Sequence, residues 1–197
     1  MKNDLKISEL ICTRISHDLI GNIGAFANAV ELLEDDDDEF LEEIKSTLKT
    51  SSGILNARLK FFRMAFGLSS AGLDKNDIVK QISADYIASL NINNPIYLYT
   101  DFISEAHSRE TMLGAMIAAD TIIKGGKISV TNIDKCIQIS ASSEYSLSKS
   151  KIDTMEGIVN GIIPSDNLSL YAPLFYLIDL GRSVSIEHSD KLLITIK

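Results

Sequence analysis

Cysteine is scarce: Cys12 and Cys136 are the two in 197 residues, they stand far apart, and neither belongs to a CxxC-type spacing. That pattern offers no disulfide framework and no cysteine metal cluster, and both are read as reduced thiols. Long apolar runs are missing too. The longest, LGAMIAADTII, falls short of a bilayer span and is broken by Asp120. The opening MKNDLKISEL is too polar for the apolar region of a signal peptide. Basic charge is outweighed, with 19 Lys and Arg against 27 Asp and Glu and a net charge of −8. An acidic balance argues against sequence-independent binding to nucleic acid or to an anionic membrane. The expectation is a soluble, cytoplasmic protein with protein partners.

Proline is absent from the first 69 residues, and what stands there is helical in pattern. Apolar residues recur at Ile11, Ile15, Leu19, Ile23, Phe26, Ala27, Val30 and Leu33, in steps of three and four. The aspartates at positions 35–38 interrupt, and a second series follows at Leu41, Ile44, Leu48, Leu55, Leu59 and Phe62. Two long amphipathic helices joined by a polar turn make an antiparallel hairpin, with the last aspartates at the positive end of the second helix. Two helices alone leave apolar stripes wet, so pairing with a second copy into a four-helix bundle is expected. Residues 1–69 are read as this unit. The small, polar stretch GLSSAG at 67–72 is read as a linker, and residues 70–197 as a second domain.

The second domain mixes periods. Asp74 is expected to cap the helix IVKQISADYIASL, PIYLYTDF reads as a strand, and Ser108–Lys124 as a helix stopped by Gly125-Gly126. KISVTNI and KCIQISAS read as a hairpin around Asp134, and Lys149–Val159 as a helix. Asn167–Leu180 reads as a helix ended by Gly181, with Pro173 a kink or a late start. SVSIEH and KLLITIK close the chain as a hairpin around Ser189-Asp190. This order gives an α+β protein whose second part is a two-layer α/β sandwich.

One residue stands out chemically. At about 100° per residue, with His17 at zero, Ile15, Leu19, Phe26 and Leu33 fall within about 20° of the opposite side. His17 therefore points outward, with Arg14, Thr13, Ile20, Gly21, Gly24 and Asn28 around it. Gly21 and Gly24 each cost about 1 kcal/mol in a helix interior, and they leave a bare track beside the imidazole. An exposed imidazole can bind metal, act as acid or base, or accept a phosphoryl group. No second histidine or cysteine on this face offers a metal site, and a convex helix offers no pocket for a hydrolytic triad. Transfer of phosphoryl between proteins suits the position best, with the partner supplying an aspartate pocket and its magnesium. His107, before a helix, and His188, at a strand end, are read as structural or merely exposed.

Ser16-His17-Asp18-Leu19-Ile20-Gly21-Asn22-Ile23-Gly24-Ala25, followed by Asn28-Ala29-Val30-Glu31-Leu32-Leu33, resembles the histidine-bearing dimerisation helix of two-component signalling. The nearest likeness is to the ChpT-type histidine phosphotransferases of alphaproteobacterial phosphorelays. The sequence departs at Asn22, where that family commonly has proline. The second half resembles the ATP-binding domain of histidine kinases in element order. The kinase Asn-x-x-x-Asn pair is missing from LGAMIAADTIIKGG, and SEYSLSKSKID stands where the Asp-x-Gly-x-Gly loop belongs. Asp179-Leu180-Gly181 reads as a helix stop.

The resemblance implies a homodimeric phosphorelay shuttle with a degenerate ATPase-like domain, no ATP, no bound cofactor and no metal of its own. Phosphoryl would pass from a hybrid kinase's receiver aspartate to His17 and on to a response regulator's aspartate. His17 would be the nucleophile, at Nε2, and Asp18 would orient its ring. Arg14, Ile20, Gly21, Gly24, Asn28 and Arg58 are expected to dock the partner, with Arg14 offsetting phosphoryl charge and Asn56 level with His17. The alternatives are an ATP-dependent histidine kinase and a dimeric scaffold that docks receiver domains without accepting phosphate.

Overall fold

The computed structural model describes residues 2–34, 41–68, 72–101, 107–133 and 136–197. The aspartates at 35–38, residues 69–71 of the linker and the hairpin tip at Asp134 lie outside the described residues. Two long helices open the fold, α1 (Lys2–Glu34) and α2 (Leu41–Phe66), packed together as the sequence expects. There follow α3 (Asn76–Ala88), β1 (Ile96–Thr100), α4 (Ser108–Thr121), β2 (Gly126–Ile133), β3 (Cys136–Ser142) and α5 (Lys149–Val159). A 3₁₀ turn (Leu168–Tyr171) leads into α6 (Ala172–Asp179), and β4 (Val184–His188) and β5 (Leu192–Ile196) close the chain.

The strands form one sheet in the order β1-β2-β3-β5-β4. β1 and β2 are parallel, joined through α4, and the other pairs are antiparallel. Period-two patterning sets the register. Ile128 and Val130 of β2 face Ala141 and Ile139 of β3, and Ile139 and Ile137 face Ile194 and Ile196 of β5. All are buried, while the residues between them are half-exposed, so one face of the sheet carries the core. The result is the mixed helix-and-sheet fold expected, with helices layered on that face.

α4 lies at the centre of that layer. Every side chain from Thr111 to Ala119 is buried, which the nearly unbroken apolar run LGAMIAA requires. Phe61 and Phe62 of α2 join the same core and meet Tyr86 of α3, with Phe61 and Tyr86 stacked at 3.8 Å. Ile15 and Leu19 of α1 pack against it from the hairpin.

Three expectations change. Asp74 does not cap α3: Lys75 holds the cap position and makes no side-chain cap bond. α4 stops at Thr121, short of Lys124, because Ile122 turns extended and bridges to Leu147. The whole α1 stripe is not buried within one chain. Ile15 and Leu19 meet the core, but from Ile20 to Leu33 Ala29 alone of the apolar side chains is buried. Phe26 and Leu33 belong to that exposed length. Pro173 stands in the first turn of α6, the late start rather than the kink.

Gly114 shows how closely α4 lies on the sheet. A Cβ there would clash with Cδ1 of Ile139 and stand 3.0 Å from Cδ1 of Ile196, two side chains buried in the core that would have to shift. Gly114→Val is expected to lower stability by about 1–3 kcal/mol through overpacking, read as a lower denaturant midpoint; an unchanged midpoint would mean that this contact is looser than described.

Candidate functional site

His17 stands on the outer side of α1 with 83% of its side chain exposed. No pocket encloses it. Its Nδ1 faces Oδ1 of Asp18 at 3.4 Å, a long contact. Asp18 itself is mostly buried, so the carboxylate lies behind the ring rather than beside it in solvent.

Arg14 holds that carboxylate. Its Nε donates to Oδ2 of Asp18 at 2.8 Å, one helical turn away. The fork of the same guanidinium is bidentate on Asp120 of α4, with Nη1 to Oδ2 at 2.9 Å and Nη2 to Oδ1 at 2.8 Å. Nη1 also donates to the carbonyl of Leu170 in the 3₁₀ turn at 2.8 Å. Lys151 of α5 donates to the backbone carbonyl of Asp120 at 2.6 Å. One arginine thus joins α1, α4 and the turn before α6. Burial works against its charge, but the charge and hydrogen bond of Asp120 outweigh that and hold the guanidinium above its ordinary pKa. Burial pushes the Asp120 carboxyl up, with Arg14 and Lys151 pulling it back. Burial also pushes the Tyr86 phenol up, and that hydroxyl has no hydrogen-bond partner among the described residues.

Arg58 of α2 makes the second tie. Its Nη1 donates to the backbone carbonyl of Asp18, its Nη2 to the carbonyl of Ser89 at 3.0 Å, and its Nε to the Ser89 hydroxyl at 3.4 Å. The residue after His17 is therefore gripped through its side chain by Arg14 and through its backbone by Arg58.

Of the residues named from the sequence, Asp18 adjoins the His17 ring, and Ile20, Gly21, Gly24 and Asn28 are exposed along α1. A Cβ on Gly21 or Gly24 would meet open space, so neither glycine is required by packing within the chain. Arg14 is a correction. The wheel puts its Cα on the His17 face, but the guanidinium turns inward and the residue is 4% exposed, so it offers no docking surface. Arg58 is half-buried and committed to backbone carbonyls rather than free on the surface. Asn56 is exposed on α2. His107 is half-buried before α4, and His188 is exposed at the end of β4.

Asp120 is the residue that sequence reading missed. Its signal was present, a single acid interrupting the apolar run LGAMIAADTII, which demands a buried partner. Leu170, acting through its backbone, left no signal. Removing the guanidinium strands two carboxylates in the interior. Arg14→Ala is expected to cost about 3–5 kcal/mol, measured by denaturant unfolding; a loss under about 1 kcal/mol, as for exposed pairs, would contradict this network.

No protein-family model matches the chain. Over 85 residues it is 38% identical to the protein phosphotransferase ChpT of Brucella abortus (strain 2308), a match that covers 42% of this chain and 39% of that protein. A solved bacterial phosphotransferase shares the fold, with a TM-score of 0.76 and 21% identity over 98% of this chain and 96% of that one. The Acinetobacter baumannii histidine kinase AdeS aligns at a TM-score of 0.38 and 13% identity over 91% and 95% of the two chains, too loosely to speak to chemistry. Over about two fifths of its length this chain resembles the protein phosphotransferase ChpT in sequence, and over nearly all of it a bacterial phosphotransferase in fold.

Proposed function

We propose that this chain is a histidine phosphotransferase that carries a phosphoryl group between receiver-domain aspartates on His17, without using ATP. The observation that carries the reading is an imidazole almost fully in solvent on a convex helix, with a buried carboxylate fixed behind its Nδ1. A ring so placed cannot enclose a small substrate. It can enter the pocket of a partner that holds the aspartyl phosphate and its magnesium.

In the forward step the Nε2 lone pair attacks phosphorus in line. The N–P bond forms, the acyl-phosphate P–O bond breaks, and the partner's aspartate leaves as carboxylate. The ring keeps its Nδ1 proton and becomes cationic, and the Asp18 carboxylate stabilises that charge at the moment it develops. The return step onto a second receiver reverses the same bonds. Gly21 and Gly24 leave the neighbouring turns bare for the approaching domain, and Ile20 and Asn28 stand exposed on the same surface.

Two features support the absence of nucleotide chemistry. α4 carries no asparagine. The cavity between α4, α5 and the 3₁₀ turn, lined by Ile117, Asp120, Lys151 and Met155 among others, is about 10 Å³. That is about the space of one water, against about 300–1,000 Å³ for a small-molecule site; a cleft of about 440 Å³ beside Asn94, Tyr97, Lys124 and Tyr145 shares none of its lining residues.

We also propose a homodimer. Ile23, Phe26, Val30 and Leu33 form an exposed apolar stripe on the side of α1 away from His17, where a second hairpin would complete a four-helix bundle. On this reading residues 1–69 bear the reacting histidine and the dimer contact, and residues 70–197 brace the hairpin and flank the docked receiver, in the cytoplasm.

His17→Ala is expected to abolish acceptance of label from a phosphorylated receiver while leaving the circular dichroism spectrum unchanged. Equally low labelling of both proteins by a panel of competent receivers would favour the docking scaffold, and labelling by γ-labelled ATP alone would favour a kinase. Phe26→Glu is expected to yield folded monomers in sedimentation equilibrium; a monomeric wild type at tens of micromolar would remove the dimer.

A further inference from the structure

We propose that Asp120 is a positioning residue for His17, acting across the fold through Arg14 and Asp18. The inference rests on the phosphotransfer reading for its consequence, but its geometry stands independently. Four side chains are connected in series: Asp120 to Arg14 by two bonds of 2.8 and 2.9 Å, Arg14 to Asp18 at 2.8 Å, and Asp18 to His17 Nδ1 at 3.4 Å. The first three are largely withdrawn from solvent and the last is not.

Each link fixes the next. The bidentate grip of Asp120 and the Leu170 carbonyl set the plane of the guanidinium, which leaves Nε pointing back along α1. Nε then occupies Oδ2 of Asp18 and turns Oδ1 toward the ring. An acceptor-only carboxylate at Nδ1 keeps the proton there and leaves the lone pair on Nε2.

Charge matters as much as direction. Arg14 alone would neutralise Asp18 and weaken its hold on a cationic ring. With Asp120 present the guanidinium is shared between two carboxylates rather than spent on Asp18 alone, while Lys151 and Arg58 stand on the backbone carbonyls of Asp120 and Asp18. The α/β layer thereby tunes a histidine carried on another part of the chain.

The test combines ¹⁵N NMR of the His17 side chain in the free protein with phosphotransfer kinetics from a phosphorylated receiver. Wild type should show the Nδ1–H tautomer predominating; a predominant Nε2–H form overturns the proposal whatever the variants do. Asp120→Asn keeps shape and one acceptor but removes the charge. It should move the ¹⁵N signals toward mixed tautomers and slow the chemical step on the order of ten-fold with KM for the receiver unchanged. Glu110→Gln breaks a different buried ion pair of α4, to Arg182, with no path to His17, and should change neither reading. Unchanged tautomer and rate in folded Asp120→Asn, or equal slowing in Glu110→Gln with both spectra unchanged, refutes the proposal. A tautomer shift in a protein that accepts no phosphoryl at all upholds the positioning chain and sinks the phosphotransfer reading instead.

Discussion

The fold depends on one buried cation. An arginine withdrawn from water is costly unless every donor finds an acceptor, and Arg14 meets two carboxylates and a carbonyl drawn from α1, α4 and the turn before α6. That requirement fixes how the helical hairpin leans on the α/β layer. It also explains why Asp120 tolerates a place at the end of the most buried helix in the molecule. With Arg14 satisfied, Asp18 is held, and with Asp18 held by Arg58 from the backbone side as well, the turn that bears His17 has a defined orientation. An imidazole 83% exposed is thus anchored from beneath by an arginine 4% exposed.

This arrangement divides the work between the chain and what docks on it. The chain presents a nucleophilic nitrogen, a carboxylate behind it and bare helix on either side. The described residues leave the ring open to solvent, so on the proposed function water exclusion and phosphate coordination would fall to the partner. On the other side of α1 the apolar stripe from Ile23 to Leu33 is left exposed by the described residues, the surface to which the proposed dimer assigns a second copy. On the proposed function, one face of this helix would serve transfer and the other assembly.

Much of this was legible in the sequence because it rests on periodicity. Steps of three and four from Ile11 to Leu33 and from Leu41 to Phe62 set the hairpin, and alternation in KISVTNI, KCIQISAS and KLLITIK set three core strands with their inward residues. The outward direction of His17 followed from the same phase. What periodicity gives is the direction of Cα–Cβ, and there it stopped. Arg14 has a stem long enough to leave its own face and reach Asp120, so the wheel located its backbone and misjudged its charge. Asp120 was visible as an interruption of LGAMIAADTII, yet nothing local shows which of the chain's 19 cations answers it. The cap at Asp74 failed for a related reason: a cap is a matter of one turn's backbone angles, and Lys75 adopted them instead. Phe26 and Leu33 show that an apolar stripe need not be buried by the chain that carries it.

The most direct test of the central claim is to find the phosphate. The protein is incubated with a phosphorylated receiver domain and digested under neutral conditions, and the peptide following Arg14 is sequenced by mass spectrometry. The account predicts a single added phosphoryl group on His17, lost in acid and stable in base as a phosphoramidate is. A phosphorylated serine or aspartate in its place, or an unmodified His17 after the receiver has given up its phosphate to this chain, would contradict it.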